Sequence, residues 1–330
     1  VRDALPNLRN VIVIGAEYEA ALAAASPDRD FPGRTADDVY VLYTGGTTGV
    51  SKGAMLSHSN LVANMQQSSS WIGKNAKEGS EVIITALPLY HIFALTANCL
   101  VFMKFGGLNY LITNPRDMPG FVKELKAHRF NVMYGVNTLY NGLLHTPGIE
   151  TVDFSGLLSC NAGGMALQGV VAERWEAVTG KTVLEGYGLT ESSPVLTFNP
   201  FGKTRLNSIG VPVPSTDVRC VDEDGKDVPQ GEAGELIAKG PQIMKGYWKM
   251  PEATAESIVD GGWFRSGDAG YLDADGYLYI HDRVKDMIVS GGENVYPAEV
   301  ENVLMAHPAI ADVAVIGVPH EKWGETAKAI

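Results

Sequence analysis

Short apolar, β-branched runs alternate with longer amphipathic stretches along residues 11–180. VIVI (11–14), VYVLY (39–43), EVIITAL (81–87), LNYLI (108–112), NVMYGV (131–136) and LLSCNAGG (157–164) have the length and composition of strands. Between them, SNLVANMQQS (59–68), MPGFVKELKAHR (118–129) and GVVAERWEAVTG (169–180) carry helical spacing. In the last, Val170, Val171, Trp175 and Val178 form the apolar set, and Gly180 marks the stop. Strands alternating with helices predict a doubly wound α/β region with a largely parallel sheet.

From about Arg205 the grammar changes. VPVPSTDVRCVDEDGKDVPQGEAGELIAKG (211–240), DADGYLYIHDRVKD (273–286) and SGGENVYP (290–297) are short strands separated by turns. DEDG and DADG are hairpin-like, so this stretch predicts an antiparallel β region. A helix is expected to start at Pro297-Ala298-Glu299 and run through His307, followed by a strand in ADVAVIGVP (311–319). The charged DRVKD (282–286) has the character of a linker.

Val82 to Met103 contains no charged residue and has the length of a membrane span. Pro88, Tyr90, His91, Thr96 and Asn98 interrupt it, and Glu81 and Lys104 flank it. The favoured reading is a strand, a turn at Pro88 and a buried helix from His91 to Met103. The composition, 45% hydrophobic and 19% charged, is that of a globular protein, and 330 residues allow two or more domains. A net charge of −12 without a basic patch argues against nucleic acid as a partner and against a purely electrostatic membrane attachment. Cys99, Cys160 and Cys220 are far apart and form no C-x-x-C, which fits a reducing compartment. The seven histidines are scattered, which gives a dedicated transition-metal site little support. The chain opens without Met and runs at once into VIVIG, and it stops at ADVAVIGVPHEKWGETAKAI without a polar tail. Both ends are expected to be cuts inside a fold.

The chemistry concentrates in YTGGTTGVSKGAML (43–56), which follows an apolar run and precedes a helical one. It contains a literal G-x-S-x-G at Gly49-Val50-Ser51-Lys52-Gly53. A hydrolase elbow needs its serine directly at the end of a strand, on a sharp turn. Here the strand ends at Tyr43, several residues earlier, and no histidine and acid are marked as partners. A Walker loop needs Gly-Lys-Ser/Thr, which is absent, and no G-x-G-x-x-G follows any strand. What remains is a loop of Gly45, Gly46, Gly49 and Gly53, with hydroxyls on Thr44, Thr47, Thr48 and Ser51 and one cation, Lys52. Such a loop turns backbone N–H groups and hydroxyls toward a phosphate, and a following helix would aim its N-terminus there. The bland alternative is a flexible surface loop.

These residues resemble the phosphate-loop motif of the adenylate-forming superfamily, which holds acyl-CoA synthetases, firefly-type luciferases and peptide-synthetase adenylation domains. ALPLYHIFAL (86–95) resembles its acyl-pocket motif and EGYGLTESSP (185–194) its nucleotide and magnesium motif. GELIAKGPQIMKGYW (234–248), GWFRSGD (262–268) and the hinge-like DRVKDMIVSGGENVYPAEVE (282–301) follow in the family's order. LPLYHIFAL, LITNPRDMPG and GVNTLYN are most similar to bacterial long-chain fatty-acid–CoA ligases. The resemblance implies a large N-terminal domain over 1–283, α/β to about 204 and β-rich, as a distorted barrel, to 283. It also implies the start of a small mobile α+β domain over 284–330.

The reaction implied is attack of a fatty-acid carboxylate on ATP, then thioester formation with CoA, with Mg2+ as the metal. The resemblance makes Lys52, Thr190, Glu191 and His91 catalytic, with Glu191 holding the metal. It assigns ATP to Thr44, Gly45, Gly46, Thr47, Thr48, Gly49, Lys52 and Thr190. Adenosine falls to Gly163, Gly164, Met165, Gly186, Tyr187, Gly188, Asp268 and Arg283, with Tyr187 stacking on the base. Tyr90, His91, Phe93, Gly135 and Val136 would line the acyl pocket, the glycine leaving room for the chain. For His91, orienting the carboxylate or the thioester step and simple packing at a helix start both stand. Lys285 would be the hinge, and Gly291 and Gly292 would let CoA pass close to the backbone. Taken singly, Glu191 reads as a helix-cap acid, Asp268 as a turn aspartate and Arg283 as a surface cation. The family's late P-x-x-x-G-K lysine has no match, so this chain alone is expected to make little acyl-adenylate. An adenylation-only enzyme or a nucleotide-binding pseudoenzyme of the same superfamily is the alternative. A cytoplasmic location with peripheral contact at the inner membrane surface is a family expectation.

Overall fold

The computed structural model describes residues 20, 23–24, 35–44, 51–291, 293–305, 307, 309–310 and 313–330. The chain divides into two compact units, Val1–Thr35 and Ala36–Ile330, and every described strand lies in the second. The strand expected at 11–14, together with Gly45, Gly46, Thr47, Thr48, Gly49 and Gly292, lies outside the described residues.

β1 (Val39–Thr44) and β2 (Lys52–Ser57) form an antiparallel hairpin, with Thr44 opposite Lys52. β2 buries Ala54 and Leu56 completely, the period of a half-buried strand. Helix α1 (His58–Ile72) begins only after it, capped reciprocally by Ser57 and Asn60. This corrects the expected order of strand, loop and helix. Lys52 opens a strand, and the helix N-terminus lies at the far end of that strand instead of at the loop.

β3 (Val82–Thr85) leads through the turn after Pro88 into a helix whose middle, Ala94–Leu100, is π-helical before α2 (Val101–Lys104). No described helix is long and apolar enough to cross a membrane. Then come β4 (Leu108–Leu111), α3 (Met118–Ala127), β5 (Val132–Gly135), α4 (Asn137–Leu144), β6 (Ser159–Ala162), α5 (Gly169–Thr179) and β7 (Leu184–Gly188). Strands β3 to β7 pair in parallel, and β8 (Val195–Phe198) and β9 (Val211–Pro212) add on antiparallel. The order is β4-β3-β5-β6-β7-β8-β9, so the winding reverses between β3 and β5, where such sheets bind ligands.

Both faces of this sheet are covered, and residues of one strand alternate between them. Ile83, Val132 and Tyr134 pack with Ile72, Ala97, Val101 and Phe102. Ile84 and Met133 pack on the other side with Phe121, Leu125, Leu143 and Trp175. In α5 the buried residues are Val171, Ala172 and Trp175, whereas Val170 and Val178 face outward, which corrects the expected apolar set. Gly180 caps the helix in the left-handed region, φ 69°.

The β-rich part is a five-stranded antiparallel sheet. It holds β10 (Asp217–Val221), β11 (Gly234–Lys239), β12 (Ile258–Val259), β13 (Trp263–Leu272) and β14 (Leu278–Arg283), with α6 (Pro251–Ser257) before β12. The DADG turn joins β13 to β14, as the sequence predicts. The last part holds β15 (Ile288–Ser290), β16 (Glu293–Val295), α7 (Pro297–Met305), β17 (Val315–His320) and β18 (Gly324–Ala329). α7 meets β14 through a polar contact of His281 Nδ1 with Glu299 Oε1 (2.5 Å) and through Ala298 N–H donating to Asp282 Oδ2 (3.0 Å).

Candidate active site

A cavity of about 1140 Å³ runs from the hairpin, past β7, to the helical face of the parallel sheet. Its polar end carries Thr44, Lys52, Thr190 and Glu191, and its apolar end carries Trp71, Ile72, Phe93, Ala97, Val101 and Phe198. Lys52 and Thr44 face each other across the hairpin because they are register partners at its loop end. Ser51 is exposed and is followed directly by strand β2, where a hydrolase elbow needs a helix.

Glu191 lies in a short 3-10 turn, Thr190–Ser192, and is 8% exposed. It is a cavity-wall acid, not a solvated cap. Its Oε1 accepts from the Tyr247 hydroxyl at 2.7 Å. The Lys52 ammonium stands 4.9 Å from the centroid of the same tyrosine ring. Burial first, and then the Glu191 charge, raise the Tyr247 phenol above its ordinary value, so it stays a donor. The sequence does not single out Tyr247. No local pattern marks it; the stretch from Met244 to Trp248 is held to β2 by Met55 N–H donating to Gly246 O (2.9 Å) and Trp248 N–H donating to Gly53 O (2.7 Å).

The same cleft continues into a second cavity of about 710 Å³ lined by Gly164, Met165, Gly186, Tyr187, Gly188, Asp268 and Arg283. Asp268 sits inside strand β13 and is buried, which corrects its reading as a turn residue. Arg283, its register partner on β14, pairs with it (Nε to Oδ1, 2.8 Å), and the Tyr187 hydroxyl donates to Oδ2. Arg283 is therefore no isolated surface cation. Burial raises the Asp268 carboxyl above its ordinary value, against the lowering effect of the Tyr187 bond and the Arg283 charge. Gly163 lines the first cavity, and Gly164, at φ 79°, lines both. Gly188 allows a close approach of chains: a Cβ there would stand 1.9 Å from Pro194 O.

His91, which is exposed, and Phe93 line the first cavity, and partial desolvation lowers the His91 pKa, which favours the neutral ring. Three residues expected in the acyl pocket do not line this cavity. Tyr90 is 78% exposed in the turn before the helix. Gly135 is not in the lining; a Cβ there would meet Leu139 and Tyr140 at 3.0 and 3.1 Å, on the opposite face of the sheet. Val136 packs with that same core. Strand alternation makes Tyr134, the residue before Gly135, the one that faces the cavity. Trp71, Ala97, Val101 and Phe198 were likewise missed, because only their tertiary placement marks them. Lys285 lines the first cavity at its rim, and Gly291 adopts φ 63° beside Trp323.

The donor set fits magnesium. Among the described residues no group of three His, Cys, Asp or Glu could cage a metal. Mg2+ is held by one or two carboxylates with phosphates and waters, and Glu191 beside Lys52 offers that arrangement.

Comparison with known proteins gives a consistent result. The model of AMP-binding enzymes matches residues 3–248, and that of the AMP-binding enzyme C-terminal domain matches 299–330. A long-chain-fatty-acid–CoA ligase of Escherichia coli O6:H1 is 52% identical over 293 residues, covering 88% of this chain and 52% of that enzyme. A feruloyl-CoA synthase of an Amycolatopsis species is 40% identical over 310 residues, covering 93% of this chain and 62% of that protein. The crystal structure of ATP-bound MatB from Rhodopseudomonas palustris superposes with a TM-score of 0.87 at 37% identity, covering 95% of this chain and 61% of that one. The chain thus spans about half the length of the curated ligase it matches.

Proposed function

The chain belongs to the AMP-binding enzyme family, and from that premise we propose that the full-length protein containing it is a long-chain fatty-acid–CoA ligase. The observation that carries this is the first cavity, in which a charged end and an apolar chamber share one space. The fatty-acid carboxylate attacks the α-phosphorus of ATP, the bond to the β-phosphate oxygen breaks, and acyl-adenylate and pyrophosphate form. The CoA thiol then attacks the acyl carbon, AMP leaves, and the thiol proton passes to solvent.

In this reading Lys52, Thr44 and Thr190, with Gly45, Gly46, Thr47, Thr48 and Gly49, bind the polyphosphate and offset its charge. Glu191 holds Mg2+, which supplies charge neutralisation on the phosphates when bound. Asp268, oriented by Tyr187 and Arg283, accepts from ribose, while Gly163, Gly164, Met165, Gly186 and Gly188 border the base. His91, which lines the same cavity, orients the carboxylate. Phe93 and the apolar walls exclude water from the chain. Lys285 is the hinge about which the last part turns to bring CoA past Gly291 and Gly292. The cytoplasm, with peripheral contact at the inner membrane surface, suits an apolar substrate.

The test is AMP release by the full-length protein across a panel of carboxylic acids. Palmitate-like acids with ATP and CoA are expected to release AMP, and omission of CoA is expected to stall the enzyme at the adenylate. No AMP from any acid in the panel would sink the proposal.

A further inference from the structure

We propose that Tyr247 is a positioning residue that keeps the anion-binding cation Lys52 and the cation-binding carboxylate Glu191 apart and aimed into the cavity. The inference rests on the proposed roles of those two residues. Lys52 and Glu191 carry opposite charges on one cavity wall, and the structure contains no ion pair between them. Two such groups beside each other in a partly desolvated space attract strongly. If they closed on one another, the site would hold neither phosphate nor metal.

Tyr247 stands in the way with two different surfaces. Its hydroxyl donates to Glu191 Oε1 (2.7 Å), and its ring takes the Lys52 ammonium (Nζ 4.9 Å from the centroid). The ring face attracts a cation, and the phenolic proton attracts a carboxylate, so one side chain satisfies both without cancelling either. The side chain itself is fixed. Tyr247 is 6% exposed and packs with Ala54, Leu56, Ile243, Met244 and Phe264. Its N–H donates to Thr254 Oγ1 (2.9 Å). Its neighbours hold both partners' backbones: Trp248 N–H donates to Gly53 O (2.7 Å) beside Lys52, and Met244 N–H donates to Glu191 O (2.8 Å). The residues from Met244 to Trp248 therefore register the hairpin against the turn that carries the acid.

The test is equilibrium titration of the full-length protein with a fluorescent ATP analogue, once with a chelator and once over a range of Mg2+. Tyr247→Phe keeps the ring and loses the hydroxyl. It is expected to leave metal-free affinity within about twofold of wild type and to raise the half-saturating Mg2+ concentration roughly tenfold. Tyr247→Leu removes the divider, and metal-free affinity is expected to fall roughly tenfold as Lys52 closes on Glu191. Adding Glu191→Gln to Tyr247→Leu removes the competing charge and restores metal-free affinity, which a merely structural role for the tyrosine would not produce. Wild-type behaviour of Tyr247→Phe in both titrations, or no restoration in the double variant, overturns the inference. Should Tyr247→Leu fail to fold, the Mg2+ midpoint of Tyr247→Phe decides. Lys52→Ala separates the two levels: unchanged metal-free affinity there refutes the phosphate role of Lys52 and the inference with it. A loss there alongside a silent Tyr247→Phe refutes the inference alone.

Discussion

The two ends of the first cavity are built by opposite means. The charged end is assembled from three segments far apart in sequence, Lys52, Glu191 and Tyr247, tied by backbone pairing and directional bonds. The apolar end is assembled from one helix face and one sheet face, with Ala97 and Val101 packed over Tyr134 and Ile83. At the first end a single atom matters because polar bonds are directional, and an unmet buried group is costly. At the second end volume matters, because packing tolerates exchange of shapes as long as space is conserved. The two ends should therefore fail differently: loss of one group at the charged end lowers turnover of every acid alike, and filling the apolar end discriminates between acids.

The largest expected effect is at the charged end. Lys52→Ala in the full-length protein should lower kcat/KM roughly 100- to 1000-fold for all acids alike, the usual cost of removing one preorganised charge-stabilising group. Initial rates of AMP release with acids of several chain lengths check this. A loss confined to long acids would place Lys52 in the wrong half of the cavity. Next comes the apolar end. Ala97→Phe puts a ring into the chamber, where Ala97 is 7% exposed. It should cost long acids roughly tenfold or more in kcat/KM and short acids little, since each displaced methylene is worth about 0.8 kcal/mol. Equal losses for short and long acids would break the comparison.

Much of the architecture was legible in the sequence, because runs of β-branched residues bounded by turns can hardly be anything but strands of a covered sheet. Thr44, Lys52, Thr190 and Glu191, drawn from separate motifs, line one cavity. Not legible was which face a residue serves. Gly135 and Tyr134 are neighbours, and strand alternation sends one to the core and the other to the cavity. Val170 and Val178 have helical spacing, yet α5 buries Val171, Ala172 and Trp175 instead. Lys52 looked like a loop residue before a helix, yet it opens a six-residue strand, because Ala54 and Leu56 had a core to fill. Tyr247 was invisible because its partners lie 56 residues away for Glu191 and farther for Lys52, and nothing local marks a tyrosine as a divider.

A smaller effect concerns the strand that joins the two cavities. Glu185 begins the run leading to Gly186 and Tyr187, and burial pushes its carboxyl up to about 7, against a bond from Leu167 N–H (3.3 Å to Oε1). The folded value lies above the unfolded one, so the folded state binds the extra proton. The contribution to stability is fully present below the unfolded value and is lost as pH rises through about 7. The full loss is on the order of 3 kcal/mol, less whatever the backbone bonds recover. Glu185→Gln cannot ionise, so its melting temperature should stay level between pH 6 and pH 8 while that of the wild type falls by several degrees, with little change in the ratio of long- to short-acid turnover. Parallel melting curves for the two proteins across that range would remove Glu185 as the source of any pH dependence. A changed acid preference would show that the strand, and not only the two ends, sets selectivity.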